Sequence, residues 1–218
     1  LNKLLLFLYA PFSLLFFSFG CIMSTNTIFT REDGIQILRY TGDDDVSSII
    51  SSFIDAYLLI FSESPYFEQF FPEEVQAILE QNLRAPESIT LFAIDTTLPE
   101  SPVVGFSFGI PVIARPDVSR QLRGLLPIRN TFYFSELGIV PTYRRKGLGK
   151  LLTNLRIKNI DVQKYTHVVL RTSIEKDASQ EMYQKMHFED MGVYCQVTSR
   201  KNDGELRTDK RLFLSRLL

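Results

Sequence analysis

The hydrophobic pattern of the chain alternates between helical and strand-like periods. Between residues 46 and 61, apolar side chains such as Ile49 and Phe53 recur at the spacing of one helical face. Residues 89–96 and 103–113 are instead short apolar runs on either side of an LPESP turn, which is typical of two buried strands joined by a tight connection. The pattern therefore predicts a chain in which helices and strands alternate.

Local start and stop signals set the bounds of further elements. The aspartates at positions 43–45 can cap the first helix. Pro72 followed by Glu73 and Glu74 is typical of a second helix start, because proline fits the first turn and the helix dipole stabilises acids there. The predicted helices cover residues 46–61, 72–83, 117–125, 147–165 and 177–186. The predicted strands cover residues 35–41, 89–96, 103–113, 131–140, 166–173, 188–200 and 211–215.

This order of elements predicts a single α/β (α+β) domain with a mixed sheet. The length of 218 residues fits one domain, or one domain plus an appendage. With 45% apolar and 22% charged residues, the chain has enough apolar material for a packed core, and wholesale disorder is not expected.

The first 22 residues differ from the rest of the chain. Residues 4–22 carry no charge, and this stretch is long enough to cross a membrane, for which about 20 residues are needed. Lys3 in front of the stretch, and Gly20 and Cys21 near its end, also fit a secretory or lipoprotein signal. However, Met23 opens a polar run that is typical of an ordinary N-terminus.

We therefore divide the chain into an apolar leader, residues 1–22, and a domain, residues 23–218. The favoured interpretation of the leader is translated upstream sequence, with a signal or membrane anchor as the alternative. A start at Met23 predicts a cytoplasmic protein, whereas a retained leader predicts a membrane-associated or exported one.

Composition narrows the chemistry further. The formal net charge of −1 does not indicate a nucleic-acid partner. Cys21 and Cys195 are too far apart for a metal-binding pair and give no disulfide framework, and His167 and His187 are too few for a histidine-based metal site. We expect neither nucleic acid nor metal as a partner.

The most specific pattern is a predicted strand that passes through two glycines into a predicted helix. Arg144, Gly147 and Gly149 lie in the sequence YRRKGLGKLL. A helix start of this kind directs free backbone N–H groups at a ligand, and glycine allows close approach, so the turn is suited to bind phosphate. The spacing excludes a Walker loop and a dinucleotide fingerprint. A glycine-softened helix start with a solvated basic face is the structural alternative.

The longer stretch ELGIVPTYRRKGLGKLL resembles the acetyl-CoA-binding motif of the GNAT N-acetyltransferase superfamily. That motif has Gln or Arg, then x-x-G-x-G or x-x-G-x-A. A second signature of the family is similar to LRTSIEKDASQEMYQKMHFE, where Tyr183 and Phe188 match. Two positions depart from it: Lys176 replaces the usual Asn, which affects one contact to pantetheine, and His187 replaces the Gly of a helix-ending turn.

The resemblance covers residues 35–215 and implies a fold. It is a mixed, mostly antiparallel sheet of about seven strands flanked by helices, in which the fourth and fifth strands splay apart. The pantetheine arm of acetyl-CoA would lie in the gap and pair with backbone groups of Leu137 and Ile139. Further residues implied to bind this cosubstrate are Arg144, Arg145, Lys146, Gly147, Leu148, Gly149 and Lys150 around the diphosphate, and Ser179 beside the arm.

The resemblance also implies direct attack of an amine on the thioester, so that no protein nucleophile is needed. Glu136 is the candidate base that deprotonates the amine, and a carboxylate paired with a neighbouring cation is the alternative. Tyr183 is the candidate acid for the leaving thiolate, and a core tyrosine is the alternative. The N–H group of Ile139 would polarise the thioester carbonyl.

Charge is distributed unevenly in a way that fits such a reaction. Residues 42–100 hold twelve acids and one base, Arg84, whereas residues 144–171 hold eight bases and one acid, Asp161. The basic segment suits the phosphates of CoA and the acidic segment would attract a cationic amine. Ordinary surface charging is the alternative explanation for the acidic segment.

Two connections are expected to enclose the acceptor. Residues 61–74 mix aromatic and acidic side chains, as suits a lid over an amine with apolar bulk. Residues 114–130 would form the other wall, and their arginines would suit a carboxylate or phosphate; these are Arg115, Arg120, Arg123 and Arg129.

We therefore expect an N-acetyltransferase for a small-molecule amine, an amino acid or a peptide. The alternatives are an acetyltransferase for protein N-termini or lysines, and a non-catalytic acyl-CoA-binding module. A membrane partner is expected only with a retained leader. The sequence does not fix the oligomeric state, and a homodimer is one of the alternatives.

Overall fold

An open sheet of eight strands organises residues 26–175 and 178–218, the part of the chain that this computed structural model describes. The strands are β1 (Thr27–Thr30), β2 (Ile35–Tyr40), β3 (Ile89–Asp95), β4 (Val103–Pro111), β5 (Thr131–Ile139), β6 (His167–Ser173), β7 (Glu189–Arg200) and β8 (Leu206–Leu217). The helices are α1 (Ser47–Ser62), α2 (Pro72–Arg84), α3 (Pro116–Leu122), α4 (Leu148–Lys158) and α5 (Ala178–Lys185).

The strands lie in the order β1-β2-β3-β4-β5-β6-β8-β7. All described neighbours pair antiparallel except β5 and β6, which are parallel and are joined through α4. The mixed, mostly antiparallel α/β fold is therefore confirmed, with eight strands where about seven were predicted.

Helices cover both faces of the sheet because successive strand residues point to opposite sides. On β2, Ile37 packs in the core beneath α4 and α5, whereas the next residue, Leu38, packs in the core beneath α1 and α2. A third cluster joins α3 to the sheet through Val118 and Leu122. The helices of the acidic segment, α1 and α2, and the helix of the basic segment, α4, thus lie on different faces of one sheet.

The predicted second helix begins as expected. Pro72 occupies its first turn, and the Glu74 carboxylate accepts a hydrogen bond of 2.8 Å from the backbone N–H of Phe71. The first helix begins at Ser47 rather than at residue 46, and Asp45 accepts the Ser47 N–H at 2.9 Å. These two helices supply one wall of the site described below.

The structure differs from the prediction at α4, which ends at Lys158 rather than continuing to residue 165. Asp161 accounts for the difference, since its carboxylate accepts the backbone N–H of Gln163 at 2.9 Å and its carbonyl accepts that of Tyr165 at 2.9 Å. A short acidic side chain that bonds the local backbone competes with the helix. The chain therefore turns here and enters β6.

The predicted splaying of two central strands is present between β5 and β6. Pairing runs from Thr131 opposite His167 to Phe134 opposite Leu170. β5 then continues to Ile139 without a described partner on that side, so a gap opens between the two strands.

The predicted apolar leader lies outside the described residues. Lys176 and Asp177 also lie outside them, and Asp177 is the first residue of the predicted last helix. Within the described part, no helix combines the length and the apolar character needed to cross a membrane.

Candidate active site

The open edge of β5 presents backbone groups to the gap. The Val140 N–H donates to the Val104 carbonyl of β4 at 3.0 Å. Since backbone groups of successive strand residues point to alternate sides, those of Ile139 and Leu137 face away from β4 and into the gap. The Ile139 carbonyl accepts a hydrogen bond from Arg144 Nε at 3.0 Å. The edge is therefore suited to pair with an extended ligand.

At the end of this edge, the glycine turn starts α4. Gly147 has a φ of +80° and is the N-cap of the helix, a left-handed conformation that favours glycine. The Leu151 N–H donates to the Gly147 carbonyl at 3.0 Å. The backbone N–H groups of residues 145–150 donate to no acceptor among residues 26–175 and 178–218. Such a helix start with free N–H groups is suited to bind an anion.

Contacts from distant segments fix the position of the glycine turn. Arg31, directly after β1, donates from Nη1 to the Lys146 carbonyl at 3.1 Å. Tyr143 donates to Asp95 at 2.6 Å, and this hydrogen bond raises the pKa of Tyr143 to about 12. Arg144 Nη1 donates to Glu63 at 3.0 Å. No sequence pattern indicated a role for Arg31, because residues 27–30 were not predicted as a strand.

A cleft of about 800 Å³ connects the glycine turn to the gap. Of the residues predicted to bind acetyl-CoA, Leu137 and Ile139 on β5, Ser179 on α5, and residues 144, 145 and 147–150 line it. Lys146 does not line the cleft, and its ammonium lies 5.2 Å from the centre of the Tyr143 ring. Free N–H groups at one end and an unpaired strand edge at the other fit a diphosphate with an extended amide arm.

A β-bulge controls the direction of Glu136. Phe108 of β4 pairs with Glu136, and the next residue, Gly109, pairs with Phe134, so Ser135 is an extra residue in β5. An extra residue reverses the alternation of side chains along a strand. Phe134 packs in the core beneath α4, and without the bulge Glu136 would point to the same side. The bulge turns it instead to the side of α1 and α2.

Burial makes Glu136 a weaker acid than an ordinary carboxyl group. Desolvation raises its pKa from 4.5 to about 7, although the charges of Arg115, Arg171 and Arg156 oppose the shift. No ion pair to Glu136 occurs in the described part of the chain. A carboxyl group with a pKa near neutrality is suited to accept a proton from an ammonium group.

Arg156, which was counted among the bases of the basic segment, is fully buried on α4. Its Nη1 donates to the carbonyls of Phe108 at 2.7 Å and Glu136 at 2.9 Å. Its guanidinium carbon lies 3.6 Å from the centre of the Phe134 ring, a cation–π geometry. Burial lowers the pKa of Arg156 from its ordinary value. The residue joins the helix to the bulge.

Tyr183 is a buried residue of α5 that reaches the same place. Its hydroxyl oxygen lies 3.5 Å from Arg156 Nη2, and its ring packs edge-on against Phe188 with 5.2 Å between centroids. Tyr183 and Glu136 line one cavity, and Arg156 contacts the hydroxyl of one and the carbonyl of the other. The structure thus brings together the two residues predicted as acid and base.

This second cavity, of about 360 Å³, lies on the side of α1 and α2. It shares Tyr66, Leu137 and Ser179 with the cleft, so the two spaces meet at β5. We call it the acceptor cavity. Phe61, Tyr66 and Phe70 of the 61–74 connection line it, whereas Phe67 and Phe71 are exposed.

The hairpin of β7 and β8 holds the 61–74 connection in place. Lys201 donates to the Tyr66 carbonyl at 2.9 Å, and Asn202 Nδ2 donates to the Ser62 carbonyl at 2.7 Å. Arg211 of β8 donates to Glu68 at 2.8 Å, and both side chains are buried. The connection therefore forms a fixed roof over the acceptor cavity.

The arginines of this cavity differ in part from the predicted ones. Arg115 lines the cavity, but Arg120, Arg123 and Arg129 do not. Arg171 on β6 and Arg211 on β8 line it instead. They come from strands distant in sequence, so no local pattern could identify them. Residues 26–175 and 178–218 contain no group of three or more His, Cys, Asp or Glu side chains arranged to hold a metal ion.

Comparison with known proteins is consistent with this geometry. Residues 114–198 match the profile of the Acetyltransferase (GNAT) domain. A ribosomal-protein-alanine N-acetyltransferase from Brucella melitensis superposes with a TM-score of 0.58 at 18% identity, over 84% of this chain and 99% of that one. NAA60 from Arabidopsis thaliana in complex with acetyl-CoA superposes with a TM-score of 0.58 at 15% identity, over 84% and 98% of the chains. No curated protein sequence matches the chain significantly.

At these identities the structural likeness establishes the fold alone, and the profile match covers less than half of the chain. The residues that carry the match include the glycine turn, α4 and α5. Residues 114–198 are therefore similar to a GNAT acetyltransferase domain, and the chain has a GNAT-like fold.

Proposed function

We propose that the protein transfers the acetyl group of acetyl-CoA directly to the primary amine of a small molecule, an amino acid or a peptide. The observation that carries this proposal is the meeting of the cleft and the acceptor cavity at β5, where Leu137 lines both. A thioester at the end of the cleft would face an amine in the cavity.

Acetyl-CoA supplies the activated acetyl group. The N–H groups of residues 145–150 would hold its diphosphate, with Arg144, Arg145 and Lys150 adding positive charge at the cleft. The backbone of Leu137 and Ile139 would pair with the amides of the arm, and the Ile139 N–H would donate to the thioester carbonyl. Ser179 on α5 lies at the meeting point of the two spaces and would contact the arm.

Glu136 and Tyr183 would move the protons. The Glu136 carboxylate takes a proton from the acceptor ammonium, directly or through a water, and leaves a neutral amine. The amine nitrogen forms a bond to the acetyl carbon, the carbon–sulfur bond breaks, and the sulfur takes the proton of the Tyr183 hydroxyl. The proton that the amide nitrogen loses returns the tyrosine to its neutral form, and Glu136 releases its own proton to solvent. Arg156 holds both residues in register through the Glu136 carbonyl and the Tyr183 hydroxyl.

The roof over the acceptor cavity favours a small acceptor. The 61–74 connection is tied to the β7–β8 hairpin by several hydrogen bonds, and the space beneath it is about 360 Å³. A protein N-terminus is the second candidate, because the structural neighbours include a ribosomal-protein-alanine N-acetyltransferase. A purely acyl-CoA-binding role is disfavoured, since it does not call for a carboxyl group and a tyrosine beside the cleft.

The protein is also proposed to act in the cytoplasm, because the reaction needs acetyl-CoA as its acetyl donor. A retained leader would instead direct it to a membrane or out of the cell.

Release of CoA thiol from acetyl-CoA tests the function. The purified chain is mixed with acetyl-CoA and a panel of alkylamines, polyamines, amino acids and short peptides. We expect amine-dependent thiol release together with the acetylated product by mass spectrometry. Tight acetyl-CoA binding without thiol release for any amine would favour the non-catalytic module.

A further inference from the structure

Two arginines converge on one wall of the acceptor cavity. Arg115 precedes α3 and Arg171 lies on β6, and their guanidinium carbons lie 5.8 Å and 5.9 Å from the centre of the Tyr133 ring. Arg171 Nε donates to the Tyr133 hydroxyl at 3.1 Å. The fold, rather than sequence proximity, brings the two cations together.

The ion pairs of the two arginines neutralise only part of their positive charge. Both arginines contact a single carboxylate, that of Asp117, at 3.2 Å from Arg115 Nε and 3.5 Å from Arg171 Nη1. Although burial acts against it, the hydrogen bond from Arg115 and the charges of both arginines hold the pKa of Asp117 below its usual value. Two cations therefore share one anion, and one positive charge is in excess.

The excess charge faces the cavity. Arg115 and Arg171 line the cavity, whereas Asp117 does not. Their side chains are 26% and 17% exposed. Neither Nη nitrogen of Arg115, nor Nη2 of Arg171, donates to a residue of the described part of the chain. The two Nη nitrogens of Arg115 belong to one planar guanidinium, which can bind a carboxylate with two parallel hydrogen bonds.

Glu136 supplies the opposite charge across the same cavity. Tyr133, which anchors the arginines, and Glu136 pair with β4 residues that are two positions apart because of the bulge, so they lie about 7 Å apart along the strand. Two hydrogen bonds of about 3 Å each and a short molecule with an amine and a carboxylate can span such a gap. Arg211 does not compete for the carboxylate, because it is already paired with Glu68 at 2.8 Å.

Aromatic side chains form part of the remaining lining and indicate what else the acceptor contains. Tyr57, Phe61, Tyr66, Phe70 and Phe108 line the cavity, together with polar residues such as Gln81, Asn82 and Thr172. An apolar side chain gains free energy by leaving water for such a lining.

We propose that Arg115 and Arg171 form a carboxylate subsite and that the acceptor is an apolar amino acid with a free carboxylate. This inference rests on the proposed function, since it assigns the acceptor of that reaction. A peptide or protein N-terminus lacks a carboxylate at this distance from its amine, because the carboxyl group is part of an amide bond.

Matched acceptors test the subsite. The full chain is assayed with acetyl-CoA and with phenylalanine, leucine and methionine, each beside its amide and its decarboxylated amine. We expect kcat/KM for the amino acids to exceed that for the other two forms by about 10- to 100-fold, as for hydrogen bonds to a charged group. Arg115→Gln should reduce this ratio to near one, whereas Arg120→Gln, an exposed arginine of the same helix region, should retain it.

Circular dichroism checks that the variants fold, and Arg115→Lys, which keeps the charge but not the fork, should keep part of the preference. Equal use of the amides would overturn the inference in favour of a peptide N-terminus, and equal use of the amines would overturn any carboxylate subsite. If no acceptor releases CoA, the proposed function fails, and saturation-transfer NMR of phenylalanine binding then decides the subsite. Binding that Arg115→Gln abolishes supports it, and absence of binding overturns it.

Discussion

Glu136 and Tyr133 lie on the same side of β5 although an odd number of positions separates them. Glu136 pairs with Phe108 and Tyr133 pairs with Ile110, and these two β4 residues are two apart and share a face. In a regular strand the two side chains would lie on opposite faces. The extra residue, Ser135, thus places a carboxyl group and the support of two arginines in one cavity.

The raised pKa of Glu136 predicts how activity depends on pH. Only the carboxylate can accept a proton, and its pKa is about 7, so kcat/KM should rise with pH up to about 7 and then level. Glu136→Gln should lower kcat/KM on the order of 100-fold and remove this rise. A pH–rate profile of both proteins measures it. Tyr57, Glu68, Arg115, Arg171 and Arg156 also act on this group.

Stability gives an independent check of the same pKa. A carboxyl group whose pKa is raised from 4.5 in the unfolded chain to about 7 in the folded protein destabilises the fold as pH rises through that interval. The unfolding temperature of Glu136→Gln relative to that of the wild type should therefore increase as pH rises from 4.5 to 7. Above pH 7 the difference between the two unfolding temperatures should stay constant. A constant difference across the whole range would contradict the raised pKa.

Tyr183→Phe tests the proton donor. The ring should keep its contact with Phe188, so the fold should persist, while the leaving sulfur loses its acid. We expect kcat to fall on the order of 100-fold with little change in acetyl-CoA affinity. Stopped-flow kinetics and calorimetry separate the two quantities, and an unchanged kcat would assign the tyrosine to packing alone.

Gly147→Ala tests the glycine turn against a matched control. Gly147 and Gly124 have φ values of +80° and +84°, and a Cβ at either one would meet no atom within 4 Å. Alanine should destabilise both positions by about 1 kcal/mol through backbone strain. Only Gly147→Ala should weaken acetyl-CoA binding, by about tenfold, because it redirects the N–H groups of the helix start. Equal affinity in both variants would place the diphosphate elsewhere.

Arg156→Met tests the buried guanidinium. The substitution leaves the carbonyls of Phe108 and Glu136 without their donor, and buried acceptors without partners destabilise a fold. We expect a loss of about 2 kcal/mol in the free energy of unfolding, measured with urea. Lys158→Met, an exposed base on the same helix, should change it little. Equal effects would mean that the guanidinium contributes no specific stabilisation.

His187→Gly tests the end of α5. His187 has a φ of +64°, and the Phe188 N–H bonds back to the Tyr183 carbonyl at 3.0 Å, the arrangement of a helix that ends in a left-handed residue. Glycine adopts this conformation without strain, so the substitution should stabilise the protein by about 1 kcal/mol. A decrease in the free energy of unfolding would show that a contact of the imidazole stabilises the protein by more than the backbone strain destabilises it.

Much of the fold could be predicted because the helices and strands have a clear hydrophobic periodicity and clear residue signals at their ends. Pro72 and the LPESP turn mark their boundaries in any context. β1 could not be predicted, since three of its four residues are exposed and only pairing with β2 holds them. β8 extends well beyond the predicted residues 211–215, because its polar first half is a strand only by pairing with β7.

The site was predictable where its residues are consecutive in sequence. The glycine turn and the open edge of β5 follow from one stretch, and Glu136 and Tyr183 were placed by their positions in two motifs. The bulge at Ser135 gives no signal in the sequence, because nothing local marks an unpaired strand residue. Arg156 has the same sequence appearance as an exposed base, and only packing against Phe134 distinguishes it.

Arg156 also limits how this chain can diverge. It belongs to α4, yet it serves oxygen atoms on β4, β5 and α5. A substitution of Arg156 alone would leave several neighbouring oxygen atoms without this hydrogen-bond donor. The arginine should therefore be conserved, or be replaced together with the residues around it. In homologous sequences we therefore expect this position to change only together with its neighbours. The exposed basic residues of the same helix should vary independently.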